Sequence, residues 1–288
     1  MAPVTRLFHW LARLPLPLMQ RLGAGLGWVV WWLSPSYRRH FKANVQAAGM
    51  AWRDARPAVS AIGMMVAELP WVWMRPHSAT LNDVVQWDGA EHFEAAMLAG
   101  QGVIILSPHL GSWEIGAQAI AEKFGPRFGP MVALFRPARK AWLEPLVANA
   151  RTRPYLDSAP TSLAGVRTLI RTLRKGGYTA ILPDQVPPLG QGVWAPFFGR
   201  EVYTMTLLGK LAQQTGAQVI LTWCERLPPG QGFCMHMRPF DAPELRDASV
   251  SPELAAAAVN RGVEAMVRHA PGQYLWGYAR DKQPRSEA

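Results

Sequence analysis

His109 and Glu114 stand five residues apart in the stretch SPHLGSWEIG, residues 107–116, with Gly111 between them. An imidazole beside a carboxylate can take a proton from a hydroxyl, because the carboxylate fixes the ring's tautomer and stabilises the imidazolium that forms. On one continuous helix two residues so spaced would point roughly 140° apart and could not meet. They meet if His109 lies on a strand-to-helix turn and Glu114 in the first helical turn, where the helix dipole favours a carboxylate. Gly111 permits so sharp a turn. The same spacing also fits a capping histidine and a solvent-exposed glutamate. A metal is not expected: only His109, Glu114 and Asp184 offer ligands, and no second histidine is closely spaced with the first. No Gly-x-Ser-x-Gly elbow supplies a nucleophile. A base at His109 would therefore act on the substrate's own hydroxyl.

The elements that must hold these groups can be read from periodicity. GVIILS, GPMVALFRP, YTAILPDQ and AQVILTWCER are short aliphatic runs that predict buried strands. VVQW at 84–87 reads as a further short strand, and GFCMHMRPF as a partner for AQVILTWCER. Helical patterns fall over 44–74, in GAEHFEAAMLAG, over 112–124, and in AWLEPLVANARTR, SLAGVRTLIRTLRKGG and TLLGKLAQQTG. Another lies in SPELAAAAVNRGVEAMVRHAP, with Ser251 as its cap. Strands alternating with helices predict a single α/β domain, with a mostly parallel or mixed central sheet flanked by helices. His109, Arg136, Asp184 and Arg226 lie just beyond the C-terminal ends of such strands, the edge where sites form in open α/β sheets.

The chain has 288 residues and a formal net charge of +10. Residues 1–53 hold no Asp or Glu but carry Arg6, Arg13, Arg21, Arg38, Arg39, Lys42 and Arg53. Such a segment suits an anionic surface. No zinc-finger spacing or RNA-binding signature accompanies it, so nucleic acid is not expected. Trp10, Trp28, Trp31 and Trp32 favour a lipid interface instead. Leu14–Leu33 is about one bilayer long, but Pro15, Pro17, Gln20 and Arg21 interrupt its first half. An interfacial helix and a true span both remain open readings. The expected division is residues 1–43 as a basic, apolar membrane-associating segment and residues 44–288 as the catalytic domain. Cys224 and Cys234 flank ERLPPGQGF, which reads as a hairpin turn, and are expected to be buried thiols in a reducing compartment.

ILSPHLGSWEIGA resembles the His-x4-Asp/Glu block of the glycerolipid acyltransferases. More narrowly, the chain resembles the bacterial lipid A late acyltransferases. ALFRPARKAWLEPLV is similar to that family's Arg-Pro block, and ILPDQVPPLGQGVWAPFFGREVYTMTLLGKLAQQTGAQVI to its Asp-Gln and Pro-Phe-Phe-Gly block. QYLWGYARDKQP is similar to its C-terminal block. RTRPYLDS departs from the pattern by lacking a glycine after its second arginine.

The resemblance implies His109 as the base and Glu114 as its partner, with Arg136 and Asp184 as polar groups of the active site. It implies that Gln185 and the Phe197-Phe198-Gly199 turn shape the pocket. Trp194 would join those two phenylalanines along an apolar slot. The implied donor is an acyl carrier protein thioester or acyl-CoA, with no further cofactor. The implied acceptor is a hydroxyl of a lipid A precursor, and the implied place is the cytoplasmic face of the inner membrane, among its phospholipids. A basic surface would steer the acidic carrier protein, and Arg151, Arg153, Arg167, Arg171, Arg174 and Lys175 are candidates to meet phosphates. Alternative readings are an acyltransferase for lyso-phospholipid or lyso-ornithine lipid, a thioesterase, and a non-catalytic anionic-lipid-binding protein.

Overall fold

The structure, a computed structural model, describes residues 3–135 and 153–286. Five helices come first: α1 (Pro3–Leu11), α2 (Leu16–Leu33), α3 (Pro35–Ala47), the short α4 (Trp52–Ala55) and α5 (Ala58–Met74). Pro15 and Pro17 do not interrupt α2, as the sequence suggested; they begin it. In a first helical turn the missing N–H costs nothing and the fixed φ is already helical. The expected helix over 44–74 is broken at Gly49, with φ +63°, and again before α5. α2 and α5 run against each other at backbone contact. A Cβ on Gly27 would sit 2.0 Å from the Val59 carbonyl oxygen, and one on Gly63 would sit 2.1 Å from that of Gly23.

The rest alternates. β1 (Val85–Asp88), α6 (Ala90–Leu98), β2 (Val103–Leu106), α7 (Trp113–Phe128) and β3 (Met131–Phe135) lead to β4 (Leu156–Pro160), α8 (Leu163–Arg174) and β5 (Tyr178–Ile181). A hairpin, β6 (Gly192–Phe197) and β7 (Arg200–Met205), follows. Then come α9 (Leu207–Thr215), β8 (Gln218–Arg226), β9 (Phe233–Pro239) and α10 (Pro252–His269). Seven strands form one sheet in the order β1-β9-β8-β2-β5-β3-β4. Every pairing in it is parallel except β8 with β9.

Both faces of this sheet are covered, and β2 shows why its four residues are all aliphatic. Val103 and Ile105 enter one core cluster with Phe93 of α6 and Ile115 of α7, whereas Ile104 and Leu106 enter the other with Leu169 of α8 and Val259 of α10. Alternate side chains of a strand point to opposite faces, so a doubly covered strand needs an apolar residue at every position. Trp31 and Phe41 of the N-terminal helices are buried in the second of these clusters.

Two elements were not foreseen. β4 has the sequence LDSAP and lies at the sheet's edge, so it lacks the aliphatic run of a central strand. Just before it, where RTRPYLDS lacks a glycine, Tyr155 takes a left-handed backbone with φ +60°. β6 carries Pro196, which a two-stranded hairpin outside the main sheet tolerates. The expected helix AWLEPLVANARTR falls almost wholly on residues 141–152, outside the described residues. Cys224 is buried, but Cys234 is only partly so, and both are free thiols.

Candidate active site

β2 and β5 are neighbours, and each ends in a loop that turns back over the sheet's C-terminal edge. His109 comes from the first loop and Asp184 from the second. His109 Nδ1 lies 2.7 Å from Asp184 Oδ1, and the His109 backbone N–H donates to Asp184 Oδ2 at 2.9 Å. The carboxylate thus grips ring and backbone together. Asp184 is 4% exposed. Burial pushes its carboxyl up, but attraction to His109 and the two hydrogen bonds from it outweigh that, and Asp184 lies below its ordinary value. An ionised Asp184 accepts, so Nδ1 carries the ring proton and Nε2 keeps its lone pair. Gln185 Nε2 lies 3.1 Å from that nitrogen, and Trp113 packs edge-on to the ring at 4.8 Å.

The partner expected for the imidazole was Glu114. The structure gives that place to Asp184. Glu114 does lie in the first turn of α7, as the turn argument requires, but its Oε2 accepts from Trp73 Nε1 at 3.1 Å. The turn itself matches expectation: Gly111 has φ +66°, and a Cβ there would sit 1.9 Å from the Cys224 carbonyl oxygen. Two backbone amides of this turn are engaged. Gly111 N donates to the Gln273 carbonyl at 3.1 Å and Ser112 N to that of Cys224 at 2.8 Å. These amides therefore do not face a substrate as oxyanion donors. Arg136, implied by the resemblance as a polar group of the site, lies outside the described residues, as does Arg151.

Phe198 and Gly199 form the two-residue turn of the β6–β7 hairpin, with φ +45° and +71°. Positive φ at both central positions is the type I′ geometry that matches strand twist. Phe198 tolerates it because its N–H donates to Glu264 Oε1 at 2.6 Å and its ring lies under the Arg268 guanidinium at 5.0 Å. Phe197 and Phe198 are buried and line a small cavity together with Asp184, Gln185, Arg200 and Arg280. Its volume is about 10 Å³, room for one water, and an acyl chain does not fit. Trp194 does not join these phenylalanines. It lies three positions from Phe197 on one strand, hence on the opposite face, and packs on Tyr203 instead.

Sequence reasoning missed two residues behind Asp184. Tyr274 is buried beside Asp184, and burial, with the negative charge of Asp184, pushes its phenol well above the ordinary value. Arg280 is 2% exposed, donates to the Tyr203 carbonyl and the Thr204 hydroxyl, and adds positive potential at Asp184. Both fall in the C-terminal block QYLWGYARDKQP, whose resemblance to the family's C-terminal block was the available signal.

The basic candidates separate by place. Arg167, Arg171, Arg174 and Lys175 are exposed on α8. That helix starts against the end of β4 and finishes beside Gly100, ahead of β2, so Arg174 and Lys175 sit at the sheet edge opposite His109. Arg153 is buried, donates to the Val72 and Trp73 carbonyls, and is pushed down to about 10 by burial and by nearby Arg75. Among the described residues no group of three His, Cys, Asp or Glu is placed to hold a metal.

With an α/β sheet whose C-terminal edge presents a carboxylate-held histidine, the chain matches the family described as bacterial lipid A biosynthesis acyltransferase over residues 4–282, and it belongs to that family. It is an acyltransferase. The lipid A biosynthesis lauroyltransferase of Escherichia coli (strain K12) is 27% identical over 284 residues, covering 95% of this chain and 88% of that protein. The lipid A biosynthesis palmitoleoyltransferase of the same organism is 27% identical over 225 residues, covering 77% and 69%. A phosphatidylinositol mannoside acyltransferase of Mycobacterium tuberculosis (strain ATCC 25618 / H37Rv) is 25% identical over 195 residues, covering 66% and 56%.

Proposed function

We propose that this acyltransferase moves a fatty acyl chain from an acyl carrier protein thioester to a hydroxyl of a lipid A precursor, at the cytoplasmic face of the inner membrane. The observation that carries the mechanism is the His109–Asp184 contact, which leaves Nε2 as the basic nitrogen. The acceptor hydroxyl takes the place of Gln185 against Nε2 and gives up its proton. Its oxygen attacks the thioester carbonyl, forming a tetrahedral intermediate. Collapse breaks the C–S bond, and the proton held by His109 goes to the departing thiolate. Asp184 stays ionised and steadies the imidazolium between these steps. Glu114 and Arg136 complete the site in this reading, with the Arg136 guanidinium as the candidate to stabilise the oxyanion. Gln185 stands at Nε2 where the acceptor enters, and the Phe197-Phe198-Gly199 turn backs Asp184, with any acyl slot lying outside the small cavity there.

Membrane seating is supported by the outer face of α1 and α2. Leu7, Trp10, Leu18, Leu22, Leu26, Val29, Trp32 and Leu33 are exposed there. The basic side chains Arg6, Arg13, Arg21, Arg39 and Lys42 are exposed as well. An apolar stripe rimmed with cations suits an anionic phospholipid surface. By length and composition, the segment apolar enough to cross a bilayer among the described residues is Trp52–Met74, that is α4 with α5, but about half of it is buried in the protein. We assign residues 1–43 as an in-plane membrane-associating segment packed on the acyltransferase domain, 44–288, with α3 running across that boundary and Trp31 and Phe41 in the shared core.

The test is an acyl-transfer assay with purified protein and a panel of acyl carrier protein thioesters. Acceptors are a lipid A precursor, a lyso-phospholipid, a lyso-ornithine lipid and a mannosylated phosphatidylinositol. Acylation of the lipid A precursor, abolished by His109→Ala, is the expected result. Transfer only to another lipid would move the acceptor assignment and keep the chemistry. Thioester hydrolysis without transfer would overturn both.

A further inference from the structure

We infer that Glu68 is a positioning residue for acyl transfer, holding the turn that carries His109 and Glu114 against α2 and β8. The inference rests on the reading of His109 as the base. Glu68 is 1% exposed and lies in the middle of α5. Its two carboxylate oxygens accept four hydrogen bonds from three other parts of the chain. Oε1 takes Gln20 Nε2 of α2 at 2.9 Å and Arg226 Nε at 2.6 Å; Oε2 takes the Ser112 hydroxyl at 2.9 Å and Arg226 Nη2 at 2.6 Å.

The Ser112 contact shows the direction of the effect. Ser112 stands at the N-cap of α7, where a serine side chain ordinarily accepts from its own helix, yet it makes no such bond. Its hydroxyl instead donates to Glu68. Arg226 closes the frame from the other side. Its backbone N–H donates to Gln273 Oε1 at 2.9 Å, its carbonyl accepts from Gln273 Nε2 at 2.8 Å, and the Gln273 carbonyl accepts from Gly111 N at 3.1 Å. Gly111 and Ser112 are therefore both tied to the Glu68–Arg226 pair, one through Gln273 and one directly. They stand two and three residues after His109, and Ser112 two before Glu114. An ion pair this deep is a poor source of stability, since desolvation consumes most of its attraction. Its four-way geometry is what an oriented turn requires.

Ser112→Ala cuts the tether and leaves the ion pair whole. Glu68→Leu with Arg226→Met replaces the pair with apolar bulk, a change that usually spares the fold. We measure kcat, KM and melting temperature for both, on whichever acceptor the wild-type enzyme uses. The expected result is a loss of roughly tenfold or more in kcat, because a small misplacement of a reacting group costs that much, with KM and melting temperature near wild type. Ser112→Thr, which keeps the hydroxyl, restores most of the rate. Wild-type kcat in Ser112→Ala overturns the inference, and so does a loss that Ser112→Thr fails to recover. If the double variant does not fold, the two Ser112 variants decide. Transfer to a lipid other than the lipid A precursor would end the acceptor assignment while leaving this comparison intact.

Discussion

His109 and Asp184 each lie three residues beyond a pair of strand residues that face one another, Leu106 on β2 and Ile181 on β5. Equal offsets from a parallel register put two side chains at the same height above the sheet. The 2.7 Å contact follows from that register. Asp184→Asn keeps the shape but offers an amide where Nδ1 needs an acceptor, so the ring loses its tautomer. The expected loss in kcat is on the order of 10³ to 10⁴, with an unchanged circular dichroism spectrum. His109→Ala should fall at least as far. An Asp184→Asn enzyme within tenfold of wild type would show that another group orients the imidazole.

Glu114 tests a different contact. Glu114→Gln retains an acceptor for Trp73 Nε1 and removes the charge, whereas Trp73→Phe removes the donor and retains the charge. A catalytic carboxylate predicts that Glu114→Gln costs at least tenfold more in kcat/KM than Trp73→Phe, for which a hydrogen bond to a charged group sets a scale of about 1.5–3 kcal/mol. Equal losses would assign Glu114 to holding α5.

Asp184 also fixes a sign for stability against pH. Its carboxyl is below the ordinary value in the folded chain, so its contribution is present above the unfolded-state value near 3.8 and is lost as pH falls through the lower folded one. Asp184→Asn should flatten the acid limb of a denaturation profile within that window, as pH falls through 3.8, and leave the slope nearer neutral pH unchanged. A profile that keeps the wild-type slope would remove Asp184 from the acid-sensitive groups.

Burial pushes the Cys224 thiol far up, so it stays protonated at neutral pH and is a poor nucleophile. Alkylation of the folded enzyme should label Cys234 and spare Cys224, and Cys234→Ser should keep full activity. Labelling of Cys224 with loss of transfer would reopen an acyl-enzyme route.

Gly199 has open space around its α-carbon and φ +71°, so Gly199→Ala meets backbone strain alone. The expected cost is about 1–2 kcal/mol, read as a lower urea midpoint. Gly27→Val drives a side chain into the Val59 carbonyl and should cost more than the ordinary ~1 kcal/mol of a point substitution. It should also open the α1–α2 layer to trypsin.

Where the sequence was informative, the reason is local. β2, β5 and β8 are aliphatic because both faces are covered, and a strand-to-helix turn was forced by the placement of His109 and Glu114. The relation between those two residues was misjudged because a short spacing draws attention to itself. The carboxylate that holds the ring is 75 residues away, and only the pairing of β2 with β5 brings it near. The Glu68–Arg226 pair spans 158 residues and leaves no periodic trace. Arg226 could be placed at the sheet edge from its position after an aliphatic run, but nothing in its neighbourhood names its partner. The β6–β7 hairpin was visible only as a motif, because Pro196 and two glycines disguise its alternation.

The contact of α2 with α5 has a consequence for the membrane seating proposed above. Glycines on both helices let the backbones touch, so the outermost helix behaves as a rigid keel with no slack between it and the catalytic edge. An enzyme on a flexible tether can sample many heights above a surface. Here the height of His109 above whatever the outer face of α2 rests on is a fixed dimension of the fold. On the proposed seating, a hydroxyl at one depth in the lipid layer would meet the imidazole, and a chemically identical hydroxyl a few ångströms higher or lower would not.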